Sequence, residues 1–570
     1  MASCLTSIRS SRVVRLPRLT PFLNRSAIHH SLESLLFKRS QSSVKMADRT
    51  YESALRHLDS IQSNRHVTSL FTAPPPSSSS SKPTAQDLNA QAIPEMLQWL
   101  SRAGLTPASL AAAGLRCVHV AGTKGKGSVC AYVTSILLSP PAASAAGRVG
   151  TYTSPHLVTV RERIQLDGRP ISRPLFARYF FEVWDALTAS ARAEAAASGQ
   201  RIPEEELRGP ASKPFYFRFL TILAFHAFLR EGVRSAVVEC GIGGEYDSTN
   251  VLPADAVTAA VVTRLGIDHV GMLGATLPEI AWHKAGVCKA GRKCFTLRAE
   301  GEDGDETMRV LRQRAAEKNA LLVEVDSAEL EGWDRERVTA GSLDGDFQKS
   351  NQALALLAAS EHLRVLAEEA AAANPASPHL RANEEPPLLQ VLGTRFASGL
   401  RSARLRGRCE TLRDGDVTWF VDGAHTAESL AETAGWFAQK YEGLPSNPKL
   451  VLLFNQQERD VAKLLRGLHE GIEKRLGRVT FSCAVFTRNE LLPAAVGEPE
   501  RDLSVQRTAA DVMEKGAHGV KTIVTDNVGD AVEKIKAIQR DEGVEVVVLA
   551  TGSLHLVGAL LRTLEPDGEL

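Results

Sequence analysis

From His119 to Leu138 the chain reads HVAGTKGKGSVCAYVTSILL, an apolar approach followed by a turn in which Gly122, Gly125 and Gly127 alternate with Lys124 and Lys126. Glycines let main-chain N–H groups come close to phosphate oxygens, a following helix adds partial positive charge at its N-terminus, and Lys126 can neutralise the β/γ end of a nucleotide. The turn Gly122, Thr123, Lys124, Gly125, Lys126, Gly127 and Ser128 therefore reads as a nucleotide cradle. The plain alternative is an ordinary glycine-rich strand-to-helix turn. The turn also departs from the commonest phosphate loop, because Gly127 separates Lys126 from Ser128 where Ser or Thr usually follows the lysine directly. A magnesium ligand is then expected from elsewhere in the chain.

Candidates stand after the next apolar runs: Ser154 in TYTSPHL, Glu239 in AVVECGIGGEYDSTN with Asp247 and Asn250 behind it, and Asp268 and His269 in TRLGIDHVGMLG. Magnesium takes oxygen ligands in octahedral geometry and keeps several waters, so one carboxylate, one hydroxyl and an imidazole suffice from the protein. Each has a bland reading as well: a strand-end salt bridge for Glu239, a loop histidine for His269, a helix cap for Ser154.

These residues need a scaffold that brings strand ends together. Short β-branched runs (CVHVAG, AVVECG, VTAAVVTRLG and LLVEV, then WFVDG, KLVLLFN, SCAVFTRN, KTIVTDN and VEVVVLATG) alternate with helical patterns. That alternation predicts an α/β fold of βαβ units with parallel sheets covered on both faces. In such sheets ligands bind beyond the carboxyl ends of the strands. With 570 residues the chain is expected to form two α/β domains. The boundaries expected are a leader at 1–45, a nucleotide-binding domain at 46–395, a joint at 396–407 and a C-terminal Rossmann-like domain at 408–570. APPPSSSSSKPT (73–84), ASARAEAAASGQRIPEEELRGPASKP (189–214) and AEEAAAANPASPHLRANEEPP (367–387) read as linkers or surface insertions.

Composition narrows the partners. A net charge of +1, with 44% hydrophobic and 23% charged residues, gives no global basic field for nucleic acid. The eight cysteines are scattered, without a Cys-x-x-Cys pair, which indicates neither zinc nor a disulfide framework. The first 32 residues hold Arg9, Arg12, Arg15, Arg18 and Arg25 and no acidic residue, the composition of a mitochondrial transit peptide, with a disordered basic tail as the alternative. Met46 offers a second start, so a mitochondrial form (matrix or inner-membrane-associated) and a cytoplasmic form are both expected. No apolar run reaches the length of a transmembrane helix.

GTKGKGS, TSPHL, ECGIGGEYDSTN, GIDHVGMLG and EIAWHKAG, in this order, resemble the folylpolyglutamate synthases of the Mur ligase superfamily. YESALRHLDSIQSNR, LRGRCETL, FVDGAHTAESL, LLFNQQERD and ATGSLHLVGALL extend the resemblance from about Tyr51 to Leu561. It implies a P-loop domain followed by a Rossmann-like domain with ATP between them. It also implies an ATP-dependent ligase that adds L-glutamate to the γ-carboxylate of a reduced folate. Lys126 and the amides of Gly125, Gly127 and Ser128 would hold the phosphates, and Ser154, Glu239 and His269 match the family's magnesium ligands. Lys284 matches a lysine that members can carry as a carbamate, beside a second magnesium ion; an unmodified helix lysine is the alternative.

From the second domain, Arg408 and Asp422 resemble ATP contacts, and His425 with Ser553 looks suited to the entering glutamate. Asp422-Gly423 alone is an ordinary strand-ending turn. Asn351 and Gln348, in GDFQKSNQALALL, are candidates for the adenine or for plain helix capping. Thr426 follows His425 where bacterial relatives often carry Asn, which leaves the glutamate contacts less defined than the phosphate contacts. The resemblance also implies a monovalent cation such as K+, and a monomer. The nearest alternative is dihydrofolate synthase. A nucleotide-binding regulator without catalysis is a second, and a dehydrogenase is weaker because the dinucleotide fingerprint spacing is missing.

Overall fold

The computed structural model describes residues 49–62, 85–333, 341–373, 389–444, 448–457, 459–477, 481–495, 497–516 and 520–566. The expected leader 1–45 with Met46, and the Pro/Ser segment 73–84, lie outside the described residues.

Among the described residues fourteen strands form two sheets. The first holds β1 (Arg116–Ala121), β2 (Val149–Tyr152), β3 (Ile164–Leu166), β4 (Arg169–Pro170), β5 (Ser235–Glu239), β6 (Val257–Val262), β7 (Lys293–Leu297) and β8 (Leu321–Val325), in the order β4-β3-β2-β5-β1-β6-β7-β8. The second holds β9 (Glu410–Asp414), β10 (Val417–Val421), β11 (Lys449–Phe454), β12 (Cys483–Phe486), β13 (Lys521–Val524) and β14 (Val546–Thr551), in the order β13-β12-β11-β14-β10-β9. Pairing is parallel except at β2-β3, β3-β4 and β9-β10. β1 lies between β5 and β6, so the turns leaving β1, β5 and β6 emerge side by side at one edge of the sheet.

Helices close the layers. Those that bear on the site are α1 (Lys126–Leu138), α2 (Arg173–Ala197), α3 (Tyr216–Arg230), α4 (Leu277–Lys284), α5 (Gln348–Ala373), α6 (Ala427–Glu442) and α7 (Leu554–Leu564). α1 is apolar nearly all round, with Val129, Cys130, Val133, Ile136 and Leu137 buried, because it is enclosed between the sheet and α5. Its Val129, Val133 and Ile136 belong to one core with Val118 and Val120 of β1 and Ala353, Leu354 and Leu357 of α5.

The segment 189–214 is a folded, largely exposed insertion and not a linker. Its first residues complete α2, and Leu207 and Lys213 beyond it are buried. The ammonium of Lys213 lies over the Trp184 ring, 4.6 Å from its centroid. Residues 367–373 likewise extend α5, while 374–387 lie outside the described residues. The expected joint contains the helix Ala397–Ser402, packed so closely on α1 that a Cβ on Gly399 would stand 2.6 Å from the Ile136 Cα. No helix among the described residues is long and apolar enough to cross a membrane.

Candidate active site

The glycine turn leaves β1 in a conformation that side chains would forbid. Gly122 has φ 144° and Gly125 has φ 90°, a left-handed region that glycine enters freely. A Cβ on Gly122 would lie 1.8 Å from the Thr263 Oγ1, and one on Gly125 2.2 Å from the Asn351 Oδ1. The loop after β6 secures the turn from outside. The Arg264 carbonyl accepts the N–H groups of Thr123 (3.1 Å) and Lys124 (3.0 Å), and Thr263 Oγ1 donates to the Lys124 carbonyl at 2.7 Å. From α5, Asn351 donates to Gln348 Oε1 at 2.9 Å and Gln348 donates to Ser128 Oγ at 3.2 Å.

The charges around the turn divide into two directions. Lys126 and Lys284 both donate to the Gly122 carbonyl, at 3.1 and 2.8 Å. Lys284 is buried, and desolvation, reinforced by the Lys126 charge, pulls its pKa down to about 7. Lys124 points the other way: its Nζ donates to Thr426 Oγ1 at 3.0 Å.

Glu239 ends β5, buried, and accepts the Ser154 N–H at 3.0 Å. Burial raises its pKa, against a lowering by Lys126. His269 has φ 51° at the loop after β6, and burial lowers its pKa although Asp268 opposes this. Among the described residues no three His, Cys, Asp or Glu side chains form a ready cation cluster. A mixed set of the Ser154 hydroxyl, the Glu239 carboxylate and the His269 imidazole nonetheless fits a hydrated magnesium ion, since a desolvated carboxylate gains most from a cation beside it.

The second sheet contributes the opposite wall. Asp422, past the end of β10, accepts the N–H groups of Cys409 and Ala424 at 2.8 Å each and the Thr433 hydroxyl at 3.0 Å. It fixes the turn that carries Arg408. His425 Nδ1 lies 2.9 Å from the Gly423 carbonyl. A carbonyl only accepts, so Nδ1 carries the proton; burial lowers the pKa of the ring, which keeps it neutral, with Nε2 as an acceptor.

A cavity of about 1090 Å³ unites these groups: Gly122 through Ser128, Ser154, Glu239, His269, Lys284, Asn351, Arg408, Asp422 and His425 all line it. Ser553 is not brought to this wall. It caps α7, its hydroxyl accepting the N–H groups of His555 and Leu556, while its neighbour Leu554 faces the cavity. Asn250 binds the carbonyls of Glu245 and Gly286, and Asp247 holds the N–H groups of Gly241 and Ile242.

Thr263 and Arg264, which brace the turn, are not among the residues expected at the site, and neither is Glu162, whose carboxylate accepts the N–H groups of Leu157, Val158 and Thr159 and so shapes the TSPHL loop. Arg163 is a further cavity-lining cation outside that set, 5.4 Å from the Tyr216 ring centroid. The charged run VRER directly after TSPHLVT was the available signal for both Glu162 and Arg163. Thr263 and Arg264 gave none, being ordinary residues at a strand end.

A family model described as the C-terminal domain of dihydrofolate synthetase matches residues 406–563. Over 536 residues the chain is 36% identical to a curated folylpolyglutamate synthase of Saccharomyces cerevisiae (strain FostersO), covering 91% of this chain and 87% of that protein. Solved structures share the fold. Mycobacterium tuberculosis folylpolyglutamate synthase complexed with ADP and AMPPCP superposes with a TM-score of 0.57 at 24% identity, over 84% of this chain and 99% of that one. Escherichia coli FolC in complex with DHPP and ADP gives a TM-score of 0.54 at 21% identity, over 85% of this chain and 99% of that one.

Proposed function

Since the chain belongs to the folylpolyglutamate synthase family, we propose that its cavity is where ATP, a reduced folate and L-glutamate are joined. The activity is ATP-dependent ligation: L-glutamate is added to the γ-carboxylate of tetrahydrofolyl-(poly)glutamate, with release of ADP and phosphate. The observation that carries this reading is the single cavity lined by the phosphate turn on one sheet and by Arg408, Asp422 and His425 on the other.

A carboxylate is a poor electrophile. Its oxygen takes the γ-phosphoryl group of ATP and ADP leaves; the glutamate amine then attacks the acyl carbon, and phosphate leaves. The amides of Gly125, Gly127 and Ser128, with Lys126, hold the phosphates, and Arg408 closes on them from the other side. Asn351 bounds the nucleotide. Preorganised charge of this kind is usually the largest catalytic contribution. A neutral His425 accepts from the glutamate ammonium, which must lose a proton before it attacks. Ser553 stands behind that region as a cap for α7.

Ser154, Glu239 and His269 would hold Mg²⁺, which when bound supplies charge to the phosphate oxygens. Lys284, whose pKa near 7 leaves much of the amine unprotonated at neutral pH, can add CO2 with loss of a proton to give a carbamate oxygen for a second ion. A monovalent cation such as K+, a monomeric state, a mitochondrial leader at 1–45 and a cytoplasmic form from Met46 complete the reading. So do the divisions at 46–395, 396–407 and 408–570, and the matched C-terminal family model begins within that joint.

The test is product analysis. With ATP, Mg²⁺, tetrahydrofolate and glutamate, products are expected to grow by successive glutamyl units. A chain that used dihydropteroate alone would be the dihydrofolate-forming alternative, the activity named by the C-terminal family model. The relatives matched over most of the chain favour the polyglutamate-forming enzyme.

A further inference from the structure

Lys124 is in the phosphate turn, yet its contacts lead away from the phosphates. Its backbone is tied to the loop after β6 through the Arg264 carbonyl and the Thr263 hydroxyl. Its side chain crosses to the second sheet's body and donates to Thr426 Oγ1 at 3.0 Å. Thr426 is the N-cap of α6, and the same oxygen accepts the Ser429 N–H at 3.3 Å. Ser429 Oγ in turn accepts the N–H of His425 at 3.2 Å and of Thr426 at 3.0 Å. The chain of bonds therefore runs from the phosphate turn, through one ammonium and one hydroxyl, to the backbone that presents His425. Lys126 and Lys284 meanwhile converge on the Gly122 carbonyl, so the turn keeps two other lysine amino groups on its own side.

Resting on the proposed function, we infer that Lys124 is a positioning residue for the amine-bearing substrate: it sets the His425 loop against the phosphate turn and so governs L-glutamate, not ATP. The turn's first lysine thereby reports to one substrate's site from inside the other's. Losing this charge-assisted hydrogen bond while the phosphate contacts remain is expected to raise the glutamate KM about ten- to a hundredfold.

The experiment compares wild type, Lys124→Met, Lys124→Arg, Thr426→Val, Thr426→Ser and the Lys124→Met/Thr426→Val double variant. For each, direct ATP affinity is measured by calorimetry, and KM and kcat by glutamyl transfer. Lys124→Met is expected to raise the glutamate KM with ATP affinity changed less than about twofold. Lys124→Arg and Thr426→Ser, which keep a donor and a hydroxyl, should recover part of the loss relative to Lys124→Met and Thr426→Val. The double variant should cost no more than the worse single one, because both remove the same bond. A Lys124→Met enzyme that binds ATP tenfold or more weakly with an unaltered glutamate KM overturns the inference, as do additive losses. The wild-type arm tests the underlying reading separately: no glutamyl transfer there removes both.

Discussion

Lys126 and Lys284 share one acceptor, the Gly122 carbonyl, but differ in burial, and that difference separates their predicted phenotypes. Lys126 contributes charge at the cavity wall and little to the core, so Lys126→Ala is expected to keep its far-UV circular dichroism. Its folate-dependent ADP release should fall about a hundredfold or more, as when a preorganised charge is removed from a transition state. Near-normal turnover by the folded variant would show that the turn does not hold the transferred phosphate. Lys284 is 3% exposed and has a pKa drawn to about 7 by desolvation and by Lys126. An unfolded chain keeps that lysine protonated to about pH 10. Between about pH 7 and pH 10 the unfolded state binds more protons than the native state, so the lysine makes wild-type stability rise with pH through that window. Lys284→Met abolishes the contribution. In CO2-free buffer the wild-type urea midpoint should gain on that of the variant from pH 7 to pH 9, and a constant difference would place a proton permanently on the amine.

At the scale of elements, the telling position is Gly558, inside α7. In an exposed helix interior alanine is better than glycine by about 1 kcal/mol. Here a Cβ would stand 2.1 Å from the Leu157 carbonyl oxygen and 2.9 Å from its carbon. Those are backbone atoms and cannot rotate aside. Gly558→Ala is therefore expected to lower the Tm and, by pushing back the loop that carries Ser154, to reduce ligase turnover; a rise in Tm would refute this packing. The sequence showed the buried strands because a parallel strand covered on both faces is built on a continuous apolar run, as β5, β6, β11 and β14 are over Ala236–Val238, Ala259–Val262, Leu450–Phe454 and Val546–Ala550, and as β1 is over Cys117–Ala121 but for the buried His119. It concealed β9, whose edge sequence ETLRD holds a single apolar residue, Leu412, among polar and charged ones, and β2, only four residues long. It misjudged the end of α2 because an alanine-rich polar stretch fits both a solvated helix and a linker. The site was legible where chemistry is local, in the turn from Gly122 to Ser128. It was hidden where partners are distant: the Lys124–Thr426 bond joins residues 302 positions apart. Neither residue advertises it.

The whole molecule joins its two sheets by unlike means. Leu157 and Val158, from the body of the first sheet, pack against the core formed by Val417, Trp419, Leu556 and Val557 of the second, an apolar contact that salt does not screen. Beside it run polar pairs that reach α6 and its surroundings: Arg264 with Glu432, Lys440 with Asp344 at 2.6 Å and Arg459 with Asp268 at 3.2 Å. Half-exposed pairs of this kind are worth about 0–1 kcal/mol each, and their attraction fades beyond about 10 Å at 0.1 M salt. The apolar contact then holds the two bodies together at any ionic strength, while the ionic pairs add a salt-sensitive part to the closure of the second body over the first. Arg264 offers the cleanest test, because its carbonyl, which braces the turn, survives any side-chain change. Arg264→Glu places like charges opposite Glu432 and is expected to raise the glutamate KM about threefold at low salt, a change on the scale of one surface pair. Adding Glu432→Arg restores the pair with its signs exchanged and should return KM towards wild type. Near 1 M salt, where the screening length falls to about 3 Å, the differences among the three enzymes should shrink. A defect that persists in high salt, or that the second substitution does not relieve, would mean that Arg264 acts through the shape of the phosphate turn and that closure does not depend on this pair.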